Sequence, residues 1–554
     1  MSEAIVHRGT QSFICKGPIG LMQRLPVFKK FNNTVHIEGR RYHILFDGDI
    51  FNKSVLTRLV GINPEISVEE TEILLRLYLK FGKEFPRFIE GHFSLAIADD
   101  HQLYLARDQI GIKPLFYYFD EKRFVFGSEI KTLLQAMPAT PEIDYQSLYT
   151  RTIFRDHLIG DATYLSGIKT FPQGYYCTVR QNENKKIVMD FKNYDVTNNI
   201  TALPGAKNEE YQEMVRQAVE RNVKYYVEKT DSVGILLSGG FDSSVLAAIA
   251  AQYTKGPLKT FTISDDPNFP DVLAARAVAK HLGTQHHEFI INATPSLFGL
   301  TKGIHAYEDS IYRNTIFELA QKMRGMVDIA ISGTGADILG MPVLFRGSHI
   351  TDIKKRWGLL ANQKKELEIK TFMESFLESV ERNPEDALYR HFLEHYIPNY
   401  LIPSTERALM YVGIESAFPF ADTMLRTISP LLPAHLKYIK SEKRNGEEKK
   451  FLRDTFSYLN LPREIMERDK LCSKSNLQES KHNLKELTEW LLTDRDVAVH
   501  PLKRLLRRDK YGIACFEIFN YLFRKNKGIL PSKLTLLYDV SRYLVARGRG
   551  KYVL

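Results

Sequence analysis

The stretch Leu236-Leu237-Ser238-Gly239-Gly240-Phe241-Asp242-Ser243-Ser244 constrains this chain more than any other. It ends an apolar run at 232–237 and leads into apolar spacing that predicts a helix over 242–253. Two adjacent glycines let the backbone turn tightly and approach an anion with no β-carbon in the way. Ser238 and the helix N-terminal amides around Ser243 and Ser244 would then point donors at phosphate oxygens. This is not a Walker loop, because Gly-Lys-Ser/Thr is absent. Asp242, in the first turn, puts an acid against an anion, and Mg²⁺ between them removes the repulsion. A helix cap that happens to hold two glycines is the bland alternative; the full Ser-Gly-Gly-x-Asp-Ser-Ser after an apolar strand goes beyond it.

Around this loop, apolar segments alternate in period. A helix is predicted over 208–228, strands over 232–237, 258–263 and 287–291, and helices over 242–253 and 272–282. That alternation calls for a parallel, doubly wound α/β sheet. A second strand-to-loop signal, Ile329-Ala330-Ile331-Ser332-Gly333-Thr334-Gly335-Ala336-Asp337-Ile338, repeats the arrangement. It belongs at a strand's C-terminal end, where such sheets place ligands, and Asp337 is the natural second carboxylate for Mg²⁺. His286 and His287 are adjacent in a strand, so they face opposite ways and make a poor metal pair.

Before residue 190 the pattern is different: short β-rich runs at 42–46, 93–98, 103–106 and 115–119, broken by one helix over 68–81. Residues 194–207 are polar and irregular, and the last ~200 residues read as mostly helical by periodicity. A chain of 554 residues exceeds one core at about 100–200 residues per domain. With 44% hydrophobic and 26% charged residues, it is of the globular class. No apolar run approaches the ~18 residues of a membrane span, and residues 1–10 lack a signal-peptide core. A cytoplasmic location is expected. Cys15, Cys177, Cys472 and Cys515 are scattered, without a Cys-x-x-Cys, so neither a disulfide nor a metal role is expected. The net charge of +10 concentrates in part at Lys503-Arg504, Arg507-Arg508 and Arg524-Lys525. No nucleic-acid motif accompanies it, so it reads as solvated helix faces suited to an anionic nucleotide or an acidic partner.

The first loop resembles the PP-loop of the ATP pyrophosphatases, which cleave ATP between the α and β phosphates. Its surroundings resemble the asparagine synthetase family, which includes β-lactam synthetases and lasso-peptide cyclases. Leu258-Lys259-Thr260-Phe261-Thr262-Ile263, Pro270-Asp271, Ala275-Arg276-Ala277-Val278-Ala279, Glu406-Arg407, Glu415 to Asp422, and Lys449-Lys450-Phe451-Leu452-Arg453 follow that family's order. The resemblance implies an ATP-dependent ligase that adenylates a carboxylate and passes the acyl group to an amine. It implies ATP contacts from Leu236, Ser238, Gly239, Gly240, Asp242, Ser243, Ser244, Thr262, Ile263 and Gly333. Asp242 and Asp337 would hold Mg²⁺, and Lys449, Asp242 and Asp337 would be catalytic. Thr334 stands where asparagine synthetases have a glutamate, and Ile338 where they have a second acid, so asparagine itself is not the expected product.

The first ~190 residues resemble the family's N-terminal nucleophile glutaminase. The likeness runs through His7-Arg8-Gly9, Arg24-Leu25, Gly48-Asp49-Ile50-Phe51-Asn52, Gly91-His92-Phe93, 105–115, 127–131 and Phe171-Pro172-Gln173-Gly174. The family's nucleophilic cysteine has no counterpart: only six residues precede His7, and no glutaminase nucleophile is expected. Asp47 replaces the oxyanion-hole asparagine and sets a repelling charge there, while Glu70 replaces the acid that clamps the glutamine amine. The expected organisation is an inactive Ntn-hydrolase-like αββα sandwich at 1–195, a linker at 196–207, and a PP-loop synthetase domain with a helical C-terminal extension at 208–554. Expected partners are small-molecule or peptide carboxylate and amine substrates, and a homodimer partner or biosynthetic partner protein, with no nucleic acid and no membrane. The alternatives are an asparagine synthetase using ammonia or glutamine, and an inactive scaffold.

Overall fold

The computed structural model describes residues 11–14, 22–25, 34–37, 40–154, 157–195, 207–291, 296–310, 314–339, 347–359, 369–432, 449–468, 486–489, 491–503, 505–506 and 509–532. His7, Arg8, Cys15, Cys472 and nearly all of the expected linker lie outside the described residues, and the side chain of Arg24 does too.

The first half is built on a six-stranded antiparallel sheet in the order Ile187–Asn193, Tyr175–Gln181, Leu103–Arg107, Gly91–Ala98, Arg40–Ile50, Thr34–Ile37. Its central strand Gly91–Ala98 is buried at every position, and its side chains alternate between two cores, as the period of two requires. Phe93, Leu95 and Ile97 pack with Leu56, Ile73, Leu74 and Leu77 of the helices Lys53–Leu59 and Glu70–Phe81. Ala96 and Ala98 pack with Leu105, Cys177, Tyr117 and Phe171 against a second, three-stranded sheet of Phe124–Gly127, Phe116–Phe119 and Ile168–Thr170. On that sheet's far side lie Ile130–Leu134 and Tyr145–Phe154. The layers are helix, sheet, sheet, helix, as expected of the αββα sandwich. Each large apolar side chain so buried contributes about 1.5–3 kcal/mol.

The second half is a five-stranded parallel sheet in the order Gln285–Ile290, Lys259–Ser264, Val233–Leu236, Ile329–Ile331, Glu415–Ala417. All four pairings are parallel. Leu236, Phe261 and Ala330 face a helical layer carrying Leu300, Leu409 and Phe519. Ile235, Ile329 and Ile331 face Val223, Val245, Leu246 and Leu452. Both faces are covered, so the sheet is doubly wound. Chain order reverses between Val233–Leu236 and Ile329–Ile331, which makes the crevice at their C-terminal ends the topological switch point.

The edge strand Glu415–Ala417 is absent from the sequence reading. Glu-Ser-Ala has no β-branched residue and no alternation to detect; pairing with Ile329–Ile331 alone makes it a strand. Within the C-terminal region, read as mostly helical, the helix Lys510–Asn520 is extended by wider turns over Tyr521–Lys525.

Buried charges join the halves. Lys113, 2% exposed, is ion-paired with Glu415, 0% exposed, and lies 3.9 Å from Asp47. Burial alone would depress the Lys113 ammonium, but Glu415, Asp47 and Asp49 outweigh it and hold its pKa above the ordinary value. Glu308 reaches across to accept from the Ile130 and Lys131 amides at 2.8 and 2.9 Å, capping the short helix there. Among the described residues, no helix is long and apolar enough to cross a membrane. Cys177 and Cys515 are buried, and burial pushes both thiols up to about 12.

Candidate active site

The loop 238–240 leaves the strand Val233–Leu236 at the switch point and enters the helix Phe241–Ala251, with Gly240 as N-cap. Gly239 has φ 73°, the left-handed region that glycine alone enters freely. A β-carbon there would lie 2.1 Å from the Asp271 carbonyl oxygen, so the position also requires glycine for space. The Ser243 and Ser244 hydroxyls donate back to the Gly240 carbonyl at 3.1 and 2.8 Å. The hydroxyls are thus spent on the cap, and the first-turn amides and exposed Ser238 are what the loop offers an anion. Leu236, Thr262 and Ile263 are buried at the adjoining strand ends. Thr262 Oγ1 donates to the Leu237 carbonyl at 2.5 Å, so these three can serve a nucleotide through backbone or shape rather than through a free polar side chain.

The second loop, 332–337, follows Ile329–Ile331 and lies against the first. A β-carbon on Gly333 would be 3.0 Å from the Ser243 nitrogen and 3.2 Å from Asp242 Cβ. Ser332 donates to Thr334 Oγ1 at 2.8 Å, closing the turn on itself. Lys449, at φ 61° ahead of the helix Lys450–Thr455, sends its ammonium between the loops. Its Nζ lies 2.5 Å from Asp242 Oδ2 and 2.9 Å from Asp337 Oδ1. Three residues chosen from distant parts of the sequence therefore share one point, all of them largely buried. Asp242 Oδ1 is buried there without a hydrogen-bond partner.

Two arginines join this site, Arg453 from the motif at 449–453 and Arg468, which no sequence spacing announced. Arg468 Nη1 donates to the Gly239 carbonyl at 3.1 Å, and its Nη2 is ion-paired with Asp271. Burial raises the pKa of the Asp271 carboxyl, and Arg468 opposes that shift. Arg453, from Lys-x-x-Leu-Arg, lies 4.9 Å over the Phe241 ring and donates to the Arg468 carbonyl at 2.7 Å. The adjacent histidines behave as their alternation predicts: His286 Nδ1 is 2.9 Å from Thr260 Oγ1, and His287 stacks on Phe261 at 5.1 Å.

In the first half, Asp47 and Asp49 sit on the strand Arg40–Ile50. Asp49 is buried, ion-paired with Lys229 and hydrogen-bonded by Tyr226 at 3.3 Å. Both partners come from the helix Asn208–Lys229 of the other half. The region around the expected glutamine pocket is thus tied to the parallel-sheet half by charge.

A glycine-turned loop at a switch point, with two carboxylates and a lysine beside it, is the arrangement expected of an ATP-using enzyme of the PP-loop class. The chain belongs to the asparagine synthase family, whose model matches residues 214–516, and the glutamine amidotransferase domain model matches residues 1–194. It is accordingly an ATP-dependent, AMP-forming carbon–nitrogen ligase. It is similar to the glutamine-hydrolyzing asparagine synthetase of Gallus gallus, with 26% identity over 501 residues, covering 84% of this chain and 79% of that one. Asparagine synthetase 1 of Bacillus subtilis (strain 168) is 28% identical over 360 residues, covering 61% of this chain and 54% of that one. Asparagine synthetase B of Escherichia coli (strain K12) is 28% identical over 330 residues, covering 54% of this chain and 52% of that one. The chain thus spans about half the length of these two bacterial relatives. Overlaid on the NMN synthetase from Francisella tularensis, the chain has a TM-score of 0.23 at 13% identity, covering 63% of this chain and 98% of that one.

Proposed function

We propose that this chain activates a carboxylic acid as its acyl-adenylate and transfers the acyl group to an amine that its own N-terminal half does not make from glutamine. The observation that carries this reading is the convergence of Asp242 and Asp337 on Lys449 beside the phosphate loop. The substrate carboxylate attacks the α-phosphorus of ATP and pyrophosphate leaves; the amine then attacks the acyl carbon and AMP leaves. The loop amides orient the phosphates, and the Lys449 ammonium offsets charge that develops on the α-phosphate and then on the tetrahedral oxyanion. Mg²⁺ fits the donor set: Asp242 Oδ1 is a buried carboxylate oxygen with no partner, and Asp337 turns to the same point. Among the described residues no group of three or more His, Cys, Asp or Glu gathers to hold a metal. The two aspartates with phosphate oxygens are then the expected ligands, as is usual for Mg²⁺. Bound there, the ion would neutralise the pyrophosphate leaving group.

Loss of glutamine hydrolysis is supported by Asp47, a carboxylate where the family has an asparagine donor for the oxyanion, 3.9 Å from the Lys113 ammonium. The proposed organisation keeps this half, about 1–195, as a scaffold for the synthetase half from about 208 onward. Thr334, in place of an acid, favours a substrate other than aspartate. The test is ATP–pyrophosphate exchange with Mg²⁺ and a panel of acids. Exchange with one acid, abolished by Asp242→Ala, is expected; no exchange with any acid leaves a scaffold and overturns the reading. The named relatives favour a second reading, asparagine formation. Asparagine made from aspartate with ammonia or glutamine would establish it.

A further inference from the structure

One peptide plane in the phosphate loop is held at both edges. The Gly239 carbonyl accepts from Arg468 Nη1 at 3.1 Å, and the Gly240 N–H donates to Ser238 Oγ at 3.3 Å. In a trans planar peptide the C=O and N–H point in opposite directions, so a partner on one edge aims the other. Little else resists a flip of this plane, because glycine lies on both sides and Gly239 is already at φ 73°. A flipped plane would take the N–H away from Ser238 Oγ, the exposed hydroxyl that the loop offers an anion.

Arg468 is itself well anchored. Its Nη2 pairs with Asp271, in the first turn of the helix Pro270–Leu282. Its carbonyl accepts from Arg453 at 2.7 Å, and Arg453 also donates to the Ile465 carbonyl at 3.0 Å while lying over Phe241. The segment from Lys449 to Arg468 thus crosses the loop as a strap. It touches Asp242 with the side chain at one end and Gly239 with the side chain at the other.

We infer that Arg468 is a positioning residue for the nucleotide: it holds the Gly239–Gly240 peptide so that the Gly240 N–H fixes the exposed Ser238 hydroxyl at the mouth of the loop, where it meets the phosphates, and Arg468 itself does not touch them. The inference rests on the reading of loop 238–244 as the ATP cradle. Asp271 sets the guanidinium in place, and Arg453 sets the chain that carries it.

The experiment uses the full chain and compares Arg468→Ala, Arg468→Lys and Asp271→Asn. It reads MgATP binding by titration calorimetry, the kcat and KM for ATP in the exchange assay, and the melting temperature. Arg468→Ala is expected to weaken MgATP binding and raise the KM for ATP by about 10- to 100-fold, the loss typical of a hydrogen bond from a charged group. The KM for the acid should hold, and kcat should change less than the KM for ATP. Arg468→Lys, which keeps a donor for the carbonyl, should recover most of the affinity, and Asp271→Asn should lose less than Arg468→Ala. Should Arg468→Ala fail to fold, Arg468→Gln carries the test, with an affinity expected between alanine and lysine. Wild-type affinity in the truncated variant overturns the inference, as does an equal loss in kcat and in both KM values with a lowered melting temperature. Wild-type protein that fails to bind MgATP overturns the reading of the loop itself, a separate and distinguishable result.

Discussion

Asp242 and Asp337 pair with one ammonium, that of Lys449, although they follow the first and fourth strands, in chain order, of the parallel sheet. Removing that ammonium leaves two carboxylates facing each other. Lys449→Met is therefore expected to slow ATP–pyrophosphate exchange by about 10²- to 10³-fold, the scale of losing one preorganised charge partner. Mg²⁺ alone should also raise the melting temperature of this variant more than that of the wild type, because a cation is now missing between the acids. A thermal shift that is the same for both would count against the shared site.

Substitution of the loop glycines separates space from chemistry. Gly239→Ala meets the Asp271 carbonyl at 2.1 Å, and Gly335→Ala, at φ 101°, meets Ala421 Cβ at 2.9 Å. Each should destabilise the chain by about 1–3 kcal/mol from backbone strain alone and abolish exchange. Gly256→Ala, with nothing within 4 Å, should leave both unchanged. Denaturant titration with the exchange assay checks all three.

The Lys113–Glu415 pair predicts a different defect. Both groups are buried, so Glu415→Gln leaves the ammonium to the weaker fields of Asp47, 3.9 Å away, and Asp49. Breaking one side of a buried pair costs about 3–5 kcal/mol. Urea unfolding should show that loss, whereas the exposed pair Lys255–Asp231, at 88% and 86% side-chain exposure, should show none on Lys255→Ala. Equal small effects would mean the halves are not coupled through this contact.

Acid should destabilise the chain through His92, which is buried, and His395, which is partly buried. Burial lowers His395 from 6.5 to about 4 and also lowers His92. The unfolded chain binds protons at these sites near pH 6.5 while the folded chain does not, so stability is fully present above that pH. It is lost progressively as pH falls from about 6.5 toward about 4. His395→Gln should flatten the upper part of this limb in a plot of unfolding free energy against pH. An unchanged slope would remove His395 from the account.

Much of this was readable in the chain. Two glycines before Asp242 demand a turn with an anion at its mouth, and the alternation from 232 to 291 demands parallel strands; both are local consequences of sterics and periodicity. The strand and helix that flank the loop, Val233–Leu236 and Phe241–Ala251, lie within a residue or two of their expected bounds. Arg468 gave no such signal. It carries no motif of its own, and its partner Gly239 is distant in the chain, so only folding connects the two. The strand Glu415–Ala417 was invisible for the same reason, since its hydrogen bonds are all to a strand elsewhere.

Residue order alone could settle the kinds of group on offer: an anion-seeking turn, two acids on glycine-bracketed loops, and an aspartate at position 47. Their meeting was the work of the folded state. The parallel sheet sets Val233–Leu236 beside Ile329–Ile331, the first and fourth of its strands in chain order, and that adjacency brings Asp242 near Asp337, where Lys449 meets both. Short-range sterics act between neighbours in the chain, whereas charge and packing act between neighbours in space, and a site is made of the second kind.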